Sequence, residues 1–160
     1  MKTIKVRQLS AEAFQGFGSF FDVVHPTGHN LGTFYHDHLM FPVVGGQAVG
    51  FSCLVSKKTE KMVIAGAEYH NYSGEAILPL DGDIVVHVAP PSKEPVPELT
   101  EAFLVPKGTM VKLNVGVWHK GPFSVENAET HILIALAERT YMTDCVVADY
   151  AETDQIEVVL

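Results

Sequence analysis

The chain has 160 residues, 47% of them hydrophobic, which is enough for one domain over residues 1–160 with a sizeable core. Its formal charge is −8, and Arg7 and Arg139 are the only arginines, so no basic stripe is available to displace counterions from a nucleic acid. No apolar run approaches the roughly 18 residues of a membrane span, and the opening Met1-Lys2-Thr3-Ile4-Lys5-Val6-Arg7 has no leader-type apolar block; no membrane partner and a cytoplasmic location are therefore expected.

Near the start, Ser10 can cap a short helix, Glu12 suits the positive end of its dipole, and Gly16 or Gly18 would end it after about two turns. His25 and His29 follow in a loop containing proline and glycine, with Phe17, Phe20 and Phe21 read as core or lid packing. Beyond it, short runs rich in Val, Ile, Phe and Tyr alternate with turn residues. They predict strands at 33–41, 48–56, 61–64, 67–72, 75–80, 84–89, 102–105, 110–115, 131–137 and 156–160. Asp81-Gly82-Asp83 is a tight-turn signal, and residues 90–97, with four prolines, form an irregular loop. The run 84–89 is apolar throughout except for His87, as expected of a strand covered on both faces. Many short strands with closely spaced turns predict a β-sandwich or barrel. Cys53 and Cys145 lack CxxC spacing and are read as free thiols.

Chemistry concentrates in Glu68-Tyr69-His70-Asn71-Tyr72-Ser73-Gly74-Glu75. Glu68 and His70 are two apart, so on a strand they share a face. Gly116-Val117-Trp118-His119 brings a second imidazole between two strand-like runs. Carboxylates and imidazoles on one face suit a divalent metal or general acid–base catalysis. His36 and His38 also share a face of their predicted strand, a spacing that any alternating strand can produce. His87 and His131, alone in apolar runs, read as interior or cross-strand histidines, and Lys107 as a solvated lysine.

The order of these residues resembles the cupins, which are double-stranded β-helix (jelly-roll) barrels. Their first motif runs glycine, five residues, His-x-His, three or four residues, glutamate, six residues, glycine. Here Glu68 stands in the first histidine position, His70 fits the second, Glu75 the glutamate and Gly82 the closing glycine. Pro106-Lys107-Gly108 opens a second motif whose histidine would be His119. A narrower resemblance, to the ureidoglycolate lyase family, runs along nearly the whole chain. It is carried by Leu9-Ser10-Ala11-Glu12-Ala13-Phe14, Tyr35-His36-Asp37, Glu68 with His70, Ala76-Ile77-Leu78-Pro79-Leu80, Trp118-His119 and Asp144-Cys145. The chain departs from that family at Phe34, where an arginine commonly precedes Tyr-His-Asp, at Lys120, where a second histidine commonly follows Trp-His, and at Glu75, commonly non-acidic.

The resemblance implies an all-β cupin barrel with a short N-terminal helix, and a carbon–nitrogen lyase that eliminates urea from ureidoglycolate to leave glyoxylate. It assigns catalysis to Glu68, His70 and His119. Substrate contacts fall to His36, Tyr72, Trp118 and Lys120, with Lys120 the candidate for the substrate carboxylate. One divalent ion (Zn, Mn, Fe or Ni) would be held by His70, Glu75 and His119. The partners implied are a small polar metabolite and a second copy of the chain in a homodimer. Two other readings keep the same barrel: a metal-dependent oxygenase or isomerase acting on another small polar metabolite, and a ligand-binding cupin without turnover.

Overall fold

The computed structural model describes residues 1–40 and 42–160. The first strand, β1 (Lys2–Gln8), leads into a single helical turn, α1 (Ala11–Phe14), which Ser10 caps by accepting from the Ala13 N–H. The helix is half the expected length because Gly18 already opens β2 (Gly18–Asp22), where a Cβ would run into the Lys112 carbonyl. Then come β3 (Val49–Lys57), β4 (Met62–Ile64), β5 (Gly66–Tyr69), β6 (Glu75–Pro79) and β7 (Ile84–Ala89). The second half holds β8 (Glu101–Val105), β9 (Thr109–Leu113), β10 (Trp118–His119), β11 (Phe123–Ser124) and β12 (Glu129–Ala137). A second one-turn helix, α2 (Thr140–Thr143), precedes β13 (Val146–Asp149) and β14 (Ile156–Val159).

The strands make two sheets. The larger runs β13-β5-β10-β7-β8-β1-β14-β4, with β11 also paired to β7, and the smaller runs β2-β9-β6-β12-β3. Period-two alternation along β7, with both faces covered, explains a sequence that is apolar apart from His87. Ile84, Val86 and Val88 enter the core between the sheets, where they meet Ile77, Val111, Leu113 and Ile132 of the smaller sheet. Val85 and Ala89 face the opposite way, into a second cluster with Ile64, Trp118, Ile156 and Val158. In the inner core Phe14 and Phe17 pack against Phe103, with ring centroids 5.2 and 6.0 Å apart.

The 81–83 turn is held on both sides. Asp81 accepts from the His131 N–H at 2.8 Å and pairs with His131 Nδ1 at 2.6 Å, while Asp83 accepts from the Lys107 N–H at 2.8 Å. Gly82 is needed for space, since a Cβ there would collide with the Asn127 amide.

The expected strand at 33–41 does not form among the described residues. Only an isolated bridge joins Leu31 to Phe34, and Asp37 takes a left-handed conformation at φ 55° that interrupts extended backbone. His36 and His38 therefore share no strand face, and Phe41 lies outside the described residues. The strand expected at 67–72 ends at Tyr69, leaving His70 just beyond it. Five strands were not expected: β1, β2, β10, β11 and β13.

Candidate active site

β5 and β10 pair antiparallel with Glu68 opposite His119, so these two side chains share the inner face of the large sheet. Trp118 and Tyr69, each one residue away, fall on the outer face, where their rings meet edge to face at 4.6 Å. From the smaller sheet, β6 begins with Glu75, opposite Leu113 of β9. His70 sits past the end of β5, its carbonyl accepting from the Gly116 N–H at 2.8 Å. His70, Glu75 and His119 are all buried.

The structure thus brings together side chains 49 and 51 residues apart in sequence with one close neighbour. The His70 and His119 rings lie 5.1 Å apart, with Nε2 of each reaching the same oxygen of Glu75, Oε2, at 3.1 and 3.0 Å. Each imidazole commits its other nitrogen to the backbone. Nδ1 of His70 donates to the Asp144 carbonyl at 2.7 Å, and Nδ1 of His119 donates to the Val117 carbonyl at 2.9 Å. A carbonyl only accepts, so Nδ1 carries hydrogen in both rings. In the neutral form both Nε2 lone pairs then point at a carboxylate oxygen, which also only accepts. A cation relieves that arrangement: a proton, on Nε2 or on the carboxyl, or a metal ion between the groups.

Proton affinities follow from the contacts. Burial pushes the Glu75 carboxyl up, but the charge and hydrogen bonds of His119 and His70 outweigh it and hold it at about 2. Burial pushes His119 down, and the Glu75 carboxylate, the Val117 carbonyl and the Glu68 charge together raise it above its ordinary value. Across β7, His87 lies beside Phe123 in the outer layer, and burial drives it down to about 3, so it stays neutral.

While His119 sits behind Glu75 and is not among the lining residues, a cavity of about 580 Å³ opens onto His70 and Glu75 of this cluster. Glu68, His70, Glu75, Lys120, Tyr141 and Cys145 line it, with apolar wall from Leu54, Ile134, Leu136 and Val147. That volume suits a small metabolite. Among the described residues Lys120 is the one lysine in the cavity lining, and it also borders the outer pocket beside His87. Trp118 is not among the lining residues; its ring packs in the outer cluster and its Nε1 donates to Ser92 at 3.0 Å. Tyr72 is exposed and borders a separate depression with Gln47, Thr140 and Asp144. His36 lies in the irregular segment, edge-on to His29 at 4.9 Å, and is also not among the lining residues.

Two residues of the site had no stated role from sequence. The Asp144 carboxylate accepts from the backbone N–H groups of Asn71 and Tyr72 at 2.9 and 2.7 Å. Cys145 Sγ lies 3.5 Å from Glu68 Oε2, and burial with the neighbouring Glu68 charge pushes its thiol up to about 11. No local spacing signals them, because their partners lie more than 70 residues earlier in the chain.

A jelly roll of two facing sheets, with imidazoles and carboxylates converging inside it, defines a cupin. The sequence matches the family described as ureidoglycolate lyase over residues 1–157, and the chain belongs to that family. It is 30% identical over 144 residues to a ureidoglycolate lyase of Pseudomonas aeruginosa (strain LESB58), covering 84% of this chain and 83% of that protein. Against a ureidoglycolate lyase of Pseudomonas fluorescens the identity is 26% over 153 residues, with 84% of each covered. Among solved structures, a dTDP sugar isomerase from Desulfovibrio desulfuricans G20 is similar at a TM-score of 0.48 and 14% identity, covering 86% of this chain and 85% of that one.

Proposed function

We propose that the protein is a ureidoglycolate lyase, releasing urea from ureidoglycolate and leaving glyoxylate. Membership of the family supports the reaction, and the observation that carries the site is the convergence of His70 and His119 on one Glu75 oxygen beside a cavity lined by Glu68 and Lys120. The elimination needs the substrate hydroxyl to lose its proton, the carbon–nitrogen bond to break, and the departing nitrogen to gain a proton. Glu68 takes the hydroxyl proton. His119, whose raised proton affinity favours imidazolium, is the acid for the urea nitrogen, its proton passing by way of the Glu75 oxygen that its Nε2 meets at the cavity wall. His70, fixed through Nδ1, orients the reacting carbon's hydroxyl between itself and Glu68. The Lys120 ammonium pairs with the substrate carboxylate as a point charge.

The donor set also fits a divalent ion. Ligand atoms of Glu68, His70 and His119 lie within 4.8 Å of one another, Glu75 touches both imidazoles, and each Nδ1 is fixed by a backbone carbonyl as in metal-ligating histidines. His70, His119 and Glu75, with Glu68 adjoining, would hold zinc, manganese, iron or nickel, and the ion would supply a Lewis acid for the hydroxyl oxygen.

A homodimer accords with β3, a nine-residue strand ending the smaller sheet, which leaves Phe51 70% and Val55 43% exposed. Two free thiols accord with a cytoplasmic location; among the described residues no helix is long and apolar enough to cross a membrane. A second reading, a metal-dependent oxygenase or isomerase acting on another small polar metabolite, is favoured by the central place of Glu75.

The test is incubation with ureidoglycolate, with and without added divalent metal, while urea, glyoxylate and ammonia are measured. Equal amounts of urea and glyoxylate without ammonia are expected. No release under either condition, or ammonia in place of urea, would refute the proposal.

A further inference from the structure

We infer that the consecutive residues Asp144 and Cys145 form the positioning element of this site, one setting His70 and the next setting Glu68. The lyase reading enters this inference only through its kinetic readout. β13 pairs antiparallel with β5, Val146 opposite Tyr69 and Val147 opposite Glu68. Extending that register past the end of β5 places Cys145 beside His70 and Asp144 beside Asn71. Residues 70–72 lie where the ladder has stopped, so their backbone donors need other partners.

Asp144 supplies them. Its two carboxylate oxygens accept from the Asn71 N–H, the Asn71 side-chain amide at 3.0 Å and the Tyr72 N–H, while its own carbonyl accepts from His70 Nδ1. The same residue is tied back to α2, where its N–H donates to the Thr140 carbonyl at 2.9 Å. Asp144 thus fixes both the path of segment 70–72 and the acceptor that keeps hydrogen on Nδ1, leaving Nε2 for the cavity side. One residue on, the Cys145 thiol donates to Oε2 of Glu68 and fixes which way that carboxylate turns. Both residues act through another side chain, so they are positioning residues.

The test compares urea release and thermal midpoints for Asp144→Ala, Asp144→Asn, Cys145→Ala and Cys145→Ser. Loss of a partner that orients an active-site histidine costs on the order of 10- to 100-fold in activity, and Asp144→Ala should lose this in kcat with KM changed by less than about threefold. Cys145→Ala should lose kcat by about 10-fold, and Cys145→Ser, whose hydroxyl also donates, should recover to within about threefold of wild type. A serine variant no better than the alanine variant would overturn the role of Cys145. Should Asp144→Ala not fold, Asp144→Asn decides, because it keeps the shape but has a single acceptor oxygen; wild-type kcat in that variant would overturn the role of Asp144. If the wild type releases no urea, the lyase reading fails on its own, and nitrogen-15 NMR of His70 in chelator-treated protein becomes the readout. A single Nδ1–H tautomer in wild type that becomes mixed in Asp144→Asn supports the inference; identical spectra defeat it.

Discussion

Replacing Glu75 by Gln removes the one charge that two fixed imidazoles share while keeping the side chain's shape. The carboxyl is held from its ordinary 4.5 down to about 2, which corresponds to a preference for the folded ionised state on the order of 3 kcal/mol. Because that value is lowered, its stabilisation is complete above about 4.5 and is lost as pH falls towards 2. His119 shifts the other way: its value is raised, so its contribution is complete below about 6.5 and fades as pH rises through the folded value. Both are therefore present in full between roughly pH 4.5 and 6.5. In the variant, the glutamine amide donates to the Nε2 lone pairs of neutral imidazoles, which suits the site at alkaline pH. In chelator-treated protein, Glu75→Gln should lower the thermal midpoint at pH 5.5 by about 6–12 °C, given about 2–4 °C per kcal/mol for a chain of this length. As the pH rises through the raised His119 value the difference should shrink, since the wild type then loses that proton as well. A variant equally stable at pH 5.5, or a gap that stays the same size across the whole alkaline range, would show that the ion pair does not exist.

Phe103→Ala should destabilise the fold by about 3–5 kcal/mol in urea unfolding, because the ring is wholly buried against Phe14 and Phe17 and the barrel cannot collapse around the void; a loss below about 1 kcal/mol would contradict that packing. Phe51→Glu should convert the proposed homodimer to monomer in light scattering, with urea release per chain changed by less than about twofold, since Phe51 is exposed and not among the cavity-lining residues. A wild type that is already monomeric would rule out the β3 edge as the interface.

Much of the fold was legible because burial imposes a period. The 84–89 run coincides with β7, and the strands expected at 75–80 and 131–137 overlap β6 (Glu75–Pro79) and β12 (Glu129–Ala137), which pair with each other. β1 was illegible for a different reason: its partners β8 and β14 run parallel to it and lie 96 and 154 residues further along the chain, so no hairpin turn announces it. At 33–40, Thr33, Phe34 and Tyr35 have the composition of a strand, but local propensity is overridden where no ladder partner is supplied. In the site, the short spacing of Glu68, His70 and Glu75 could be read directly, whereas their approach to His119 depends on the β5–β10 register. Neighbouring residues on a strand face opposite ways, and that rule alone turns Trp118 away from whatever His119 faces. Asp144 binds mainly backbone N–H groups, which leave no trace in side-chain patterns.

The most direct measurement of the central claim is kcat/KM for ureidoglycolate in His70→Ala and His119→Ala beside the wild type, each confirmed folded by circular dichroism. If the buried imidazoles around Glu75 perform the elimination, both variants fall by on the order of 100-fold or more while the barrel stays intact. Either variant retaining the wild-type kcat/KM would place the chemistry elsewhere in the molecule.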